Sequence, residues 1–163
     1  MALLNPPPPV LDMARVIAYA FVDDSVQWTG RQSLFIGGKG LGPVPRLALA
    51  QNVSGDLRDV LIFHCNDHWE VLGVGGGATL EEAKERIERA YRGIGAKWID
   101  ANVSIREAEA WILENSDHMV CFFCGRSPGE FQQIVTGKLA AICNLCIDRL
   151  HRELHEDGNG HVA

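Results

Sequence analysis

No segment of the sequence approaches the roughly 18–20 consecutive apolar residues that a bilayer-spanning helix requires, so membrane insertion is not expected. The opening residues, MALLNPPPPV, lack both the basic start and the apolar run of a secretory signal. A cytoplasmic location is the resulting expectation, and the Asn-x-Ser triplets at Asn52 and Asn102 then carry no glycosylation meaning. Basic residues are in short supply: 15 Lys and Arg stand against 21 Asp and Glu, a net charge of -6. That balance opposes general binding to phosphate backbones or anionic lipid, so neither nucleic acid nor membrane is an expected partner. Cysteine is also sparse, at five residues, yet four of the five fall into two CxxC pairs. In a reducing compartment such pairing favours a metal over disulfides.

The N-terminal residues 1–10 contain four consecutive prolines, Pro6 to Pro9, and read as a flexible, extended arm. Residues 11–115 read as an α+β domain. Its first part is mainly β, with strands expected at Arg15–Asp23, Ser33–Ile36, Arg46–Gln51, Asp59–Cys65 and Trp69–Val74. Asn66-Asp67-His68 supplies the turn between the last two, giving an antiparallel hairpin. Two helices follow. Thr79 precedes Glu82 by three residues and Ser104 precedes Glu107 by three, the spacing of a capping box in which each side chain satisfies the other's free backbone N–H. The first helix is expected at Thr79–Tyr91 with Leu80, Ala83, Ile87 and Ala90 inward, stopped by Gly93 and Gly95. The second is expected at Ser104–Glu114 with Ile105, Ala108, Trp111 and Ile112 inward, and Lys97–Ala101 as a last strand between them. Asn115-Ser116-Asp117 reads as a linker to a module at residues 118–156, and residues 157–163 as a flexible tail.

The chemistry lies in that module. Cys121 and Cys124 form one CxxC, and Cys143 and Cys146 form the other after eighteen intervening residues. Each pair puts two thiolates on one tight turn, and four thiolates complete a tetrahedron around Zn2+. No position is left for water or substrate, so one structural zinc is expected rather than a catalytic one. An iron–sulfur cluster takes the same number of cysteines. A redox dithiol of the thioredoxin kind occurs once, not as two pairs. The module has fewer than about 40 residues, a size at which a hydrophobic core alone rarely suffices. Gly125, directly after the first pair, suits a backbone that bends towards the metal.

These residues also carry a resemblance. The stretch CFFCGRSPGEFQQIVTGKLAAICNLCIDRLHREL resembles the N-terminal zinc-binding domain of ClpX, the AAA+ unfoldase of the Clp protease. The likeness rests on the CxFCG opening, Ser127, Glu130 and the apolar trio Phe131, Ile134 and Val135. Gly137 before Ile142-Cys143, and Cys146-Ile147-Asp148, complete it. It implies a treble-clef-like C4 zinc fold that dimerises and docks adaptors and some substrates. The module here stands at the C-terminal end of the chain and no GxxxxGK[ST] phosphate loop is present, so the likeness implies docking without unfolding. Phe122, Phe123, Phe131, Ile134, Val135, Leu139, Ile147 and Leu150 are too many apolar residues for so small a core; some must face a partner, a second copy or the N-terminal domain, and together they form the expected partner surface.

Two further clusters read as structural. Gly73 to Ala78 loosely resembles a dinucleotide loop, but it follows a hairpin and reads as a bend into a helix. In His64-Cys65-Asn66-Asp67-His68 the thiol and the first imidazole are adjacent on a strand, so they point to opposite faces and cannot act as a pair. His118, His151 and His155 are expected to face solvent, because the metal's four ligands are already present. The resulting expectation is a non-enzymatic zinc-binding protein that docks or dimerises through residues 118–156, as an adaptor or regulator acting with a Clp-type system or another bacterial partner. The alternatives are a small acidic immunity-type protein that neutralises a toxin, and an enzyme with its site in the N-terminal domain.

Overall fold

The computed structural model describes residues 5–31, 35–53, 59–77, 79–115, 120–137 and 140–156. Its elements are β1 (Val10–Leu11), β2 (Ala14–Phe21), β3 (Gln27–Trp28), β4 (Phe35–Ile36), β5 (Lys39–Gly40), β6 (Arg46–Asn52), β7 (Val60–Cys65), β8 (Val71–Gly77), α1 (Leu80–Ala90), β9 (Tyr91–Arg92), a 3-10 turn at Ile94–Lys97, β10 (Ile99–Asp100), α2 (Ile105–Asn115), β11 (Ile134–Thr136), β12 (Ala141–Cys143) and α3 (Asn144–Glu156). The protein is α+β, and none of the described helices is long and apolar enough to cross a membrane. The chain divides into two compact units, residues 1–111 and 112–163.

The first unit is built on an antiparallel sheet in the order β1-β2-β6-β7-β8, with β10 also paired to β2. Hydrophobic alternation explains why both of its faces are buried. Ala18, Ala20, Leu47, Leu49, Val60 and Ile62 line one face, under Ala83, Ile87 and Ala90 of α1 and under Ile94. Ala14, Val16, Ala48, Ala50, Phe63 and Cys65 line the other, with Leu11 and Trp69. The change of side along β2 follows from a bulge between Val16 and Ala18, since one extra residue reverses the period-two facing beyond it. Residues 83, 87 and 90 recur at helical spacing, which is why α1 presents one apolar stripe to the sheet.

Both helix starts are capped as their sequence signals predict. The Thr79 hydroxyl accepts from the Glu82 N–H at 3.1 Å and the Glu82 carboxylate accepts from the Thr79 N–H at 3.2 Å. The same exchange joins Ser104 and Glu107, at 3.2 and 2.7 Å. The inward sets are smaller than expected. Leu80 and Ile105, each the first residue of its helix, are exposed, and Trp111 is half-buried; Ala83, Ile87, Ala90, Ala108 and Ile112 are buried.

Three expectations need revision. The proline stretch is tied down rather than free along residues 5–11: the Asn5 carbonyl accepts from the Trp69 indole at 2.9 Å, the Pro9 carbonyl accepts from the Val16 N–H at 3.0 Å, and Val10 and Leu11 are buried strand residues. Residues 1–4 and 157–163 lie outside the described residues. The glycines after Val71 make no bend. Gly73, Gly75, Gly76 and Gly77 continue β8, pairing with His64, Ile62, Leu61 and Val60. Of the strand expected at Lys97–Ala101, only Ile99–Asp100 pairs, because the 3-10 turn occupies Ile94–Lys97. The Asn66 turn stands as expected, its side-chain carbonyl accepting from the N–H groups of His68 and Glu70 at 2.9 and 3.0 Å.

Candidate metal centre

In the second unit, β11 and β12 form an antiparallel hairpin with Ile134 opposite Cys143, Val135 opposite Ile142 and Thr136 opposite Ala141. A turn at Cys121–Cys124 precedes it and α3 follows directly. One pair of cysteines therefore comes from the turn. The other comes from the end of β12 and the first turn of α3. The turn closes because Gly125 adopts φ +71°, which favours glycine, and donates its N–H to the Cys121 carbonyl at 2.8 Å. The Phe122 N–H then bonds the Ala141 carbonyl at 2.9 Å, docking turn to hairpin.

This geometry brings all four thiols together. The sulfurs of Cys121, Cys124, Cys143 and Cys146 lie within 4.8 Å of one another, so they could hold a metal ion. Cys121 and Cys146 are 3.9 Å apart and Cys124 and Cys143 are 3.7 Å apart, each contact joining the two CxxC pairs. A tetrahedron with metal–sulfur arms near 2.3 Å has edges of about 3.8 Å, so the donor set fits a tetrathiolate ion in number and spacing. Those distances are far from the roughly 2.05 Å of a disulfide, and all four cysteines are free thiols. Cys121, Cys143 and Cys146 are buried, Cys124 half-buried.

The surroundings favour thiolate at two of the four. Burial works to raise the Cys121 thiol, but backbone N–H groups of Cys143, Cys124 and Phe123 outweigh it and the thiol is lowered; the Cys143 N–H lies 3.3 Å from its sulfur. The Arg126 backbone N–H, aided by its guanidinium, lowers Cys124. Cys146 is pushed the other way by burial and by its thiol neighbours. Four thiolates this close repel, and a divalent cation removes that conflict.

Two residues that hold the centre were not singled out from the sequence. Arg126 is one. The other is Asn144, inside the second pair, whose side-chain carbonyl accepts from the N–H groups of Gln132 and Gln133 at 3.2 and 3.1 Å while its own N–H bonds the Gln133 carbonyl at 2.9 Å. It fastens the segment before β11 to the start of α3. An Asn between two cysteines of the cluster, at a helix start, is the one signal the sequence offered for it.

Among the apolar residues expected to meet a partner, Phe123 and Val135 are 59% and 57% exposed, and Ile147 is also exposed. Phe122, Phe131, Ile134 and Leu150 are half-buried, and Leu139 lies outside the described residues. Leu145 and Leu154 are exposed as well. His151 and His155 face solvent, and His118 lies outside the described residues. In the first unit His64 and Cys65 are both buried, on successive positions of β7 that face opposite sides. Burial pushes the Cys65 thiol up to about 12, the reverse of what a nucleophile requires. No protein-family model matches the chain, and no solved structure matches it significantly.

Proposed function

We propose that the four cysteines bind one structural Zn2+ and that the unit they fold is a protein-docking module of the ClpX zinc-binding kind. On this reading the chain is a non-enzymatic adaptor or regulator. It pairs with a second copy through this module and presents a protein partner, in the concrete case a Clp-type unfoldase. The observation that carries the reading is the clustering of four thiols within 4.8 Å of one another, in a unit that exposes Phe123, Val135, Ile147 and Leu154. The turn, hairpin and helix around the thiols are consistent with a treble-clef-like C4 finger and in that way support the resemblance seen in the sequence. Bound zinc would act as a cross-link between the two CxxC turns. The shell is complete with four sulfurs, which leaves no position for substrate chemistry.

Metal analysis by mass spectrometry is expected to find one zinc per chain, and chelation to remove it together with the C-terminal fold. Light scattering is expected to give twice the 17.9 kDa monomer mass, reverting to monomer after Cys143→Ser. A metal-free chain with unchanged circular dichroism would overturn the structural metal. A monomer at high concentration would overturn the pairing. Capture of a Clp-type unfoldase through residues 118–156, lost on Phe123→Ser with metal content intact, tests the adaptor role.

A further inference from the structure

His151 and His155 lie one helical turn apart on α3, and both side chains are exposed. Their rings stand side by side, centres 4.3 Å apart and planes inclined by 52°. We propose that this pair is a second metal site, separate from the thiols: a bidentate, exchangeable chelate for a divalent transition ion such as Ni2+ or Zn2+.

Ligand chemistry, placement on the helix and ring spacing support it. Imidazole is a borderline ligand suited to nickel, copper and zinc, and residues four apart on a helix share one face. Two nitrogens side by side on one ion with arms near 2.05 Å lie about 2.9 Å apart at the right angle nickel prefers and about 3.3 Å apart on a tetrahedral zinc. Ring centres 4.3 Å apart already stand close enough for one nitrogen from each ring to meet a shared ion. His155 also lies in the last turn of α3, where the helix dipole favours positive charge. The start of the helix is held by Asn144, so the two rings are displayed on an anchored element. Unlike the tetrathiolate, this site supplies two ligands and leaves the remaining positions to water or to groups of another molecule. Chelation requires the turn between residues 151 and 155 to be helical, so bound ion stabilises the end of α3 by linkage. The proposal is independent of what occupies the thiols.

The test is calorimetric titration of NiCl2 into the full chain and three variants. His151→Ala and His155→Ala each remove one ligand at an exposed position where alanine favours the helix. The double variant His155→Ala/Glu153→His keeps the number of histidines but sets the two rings about 200° apart around the helix. Subtracting each variant from the wild type cancels nickel taken by the cysteines or by other histidines. The expected result is one Ni2+ equivalent in the wild type that weakens at least about tenfold, or about 1.4 kcal/mol, in all three variants. Equal binding by the wild type and the single variants, or by the wild type and the displaced pair, would overturn the site.

Discussion

His64 sits within β7 at 3% exposure, and neither ring nitrogen meets a hydrogen-bond partner among the described residues. Burial lowers its pKa to about 4, outweighing the backbone of Gly73, opposite it on β8, which favours the charged ring but lies outside hydrogen-bonding geometry for either nitrogen. The unfolded ring titrates near 6.5. Between these values the unfolded chain holds a proton that the folded chain lacks. Stability is therefore full above about pH 6.5 and falls as the pH drops towards 4. At about 1.4 kcal/mol per unit the loss approaches 3 kcal/mol, and at pH 4.5 it is about 2–3 kcal/mol. That is a large share of the roughly 5–15 kcal/mol typical of a domain. The assay is urea unfolding at pH 7.5 and pH 4.5, followed by tryptophan fluorescence. All four tryptophans lie in the first unit, so the signal reports on its unfolding. His64→Leu removes the titration and two buried, unpartnered nitrogens. It is expected to match or exceed the wild type at pH 7.5 and to lose about 2–3 kcal/mol less on acidification. An identical loss in both proteins would refute the reasoning.

Three other perturbations separate the packing claims. A methyl at Gly77 would meet the N, Cα and Cβ of Ala83 at 3.0–3.2 Å, so Gly77→Ala should cost about 1–3 kcal/mol in urea unfolding, whereas at Gly75 the nearest atom is Ile62 Cβ at 3.7 Å and alanine should be tolerated. Thr79→Ala removes one half of a capping box and should cost about 1 kcal/mol in the same assay, with no change in metal content. Asn144→Ala strips the acceptor from two backbone N–H groups and should cost about 1–2 kcal/mol, read as faster metal loss to a competing chelator than in the wild type.

The elements legible in the sequence were those specified locally. A capping box needs only two residues three apart, and Thr79/Glu82 and Ser104/Glu107 mark their helices to within a residue. The cysteines were legible for the same reason, because each CxxC fixes its own turn and only the meeting of the two turns is long-range. Beyond the β7–β8 hairpin, what the sequence did not show was how far pairing extends. Gly73 to Gly77 carry the signature of a bend, yet ladder bonds to β7 and the close approach of α1 at Ala83 hold them extended, a tertiary effect that outweighs local preference. Prolines 6–9 suggested a free arm for the same reason: nothing local announces that the indole of Trp69 will claim the Asn5 carbonyl. Asn144 was hidden in plain composition, since its partners Gln132 and Gln133 are side by side with it only once the hairpin has formed.

The C-terminal unit has an unusual core, and that core explains its surface. Among the described residues its cysteines form a buried cluster of their own, Cys121, Cys143 and Cys146, edged by Cys124, Phe131 and Ile142. Burying so few apolar groups at roughly 25 cal/mol per Å2 gives little to set against chain entropy. The proposed tetrathiolate zinc would contribute on the order of 10–16 kcal/mol of apparent folding free energy in a unit of this size, and would make a larger apolar core unnecessary. The remaining large apolar side chains are then released from folding. Phe123, Val135, Ile147 and Leu154 remain exposed, and exposed apolar groups in such number disfavour solubility unless something covers them. The proposed docking role follows from this division of labour: thiols specify the fold, and the side chains that a metal-free domain of this length would need inside are left to meet a partner.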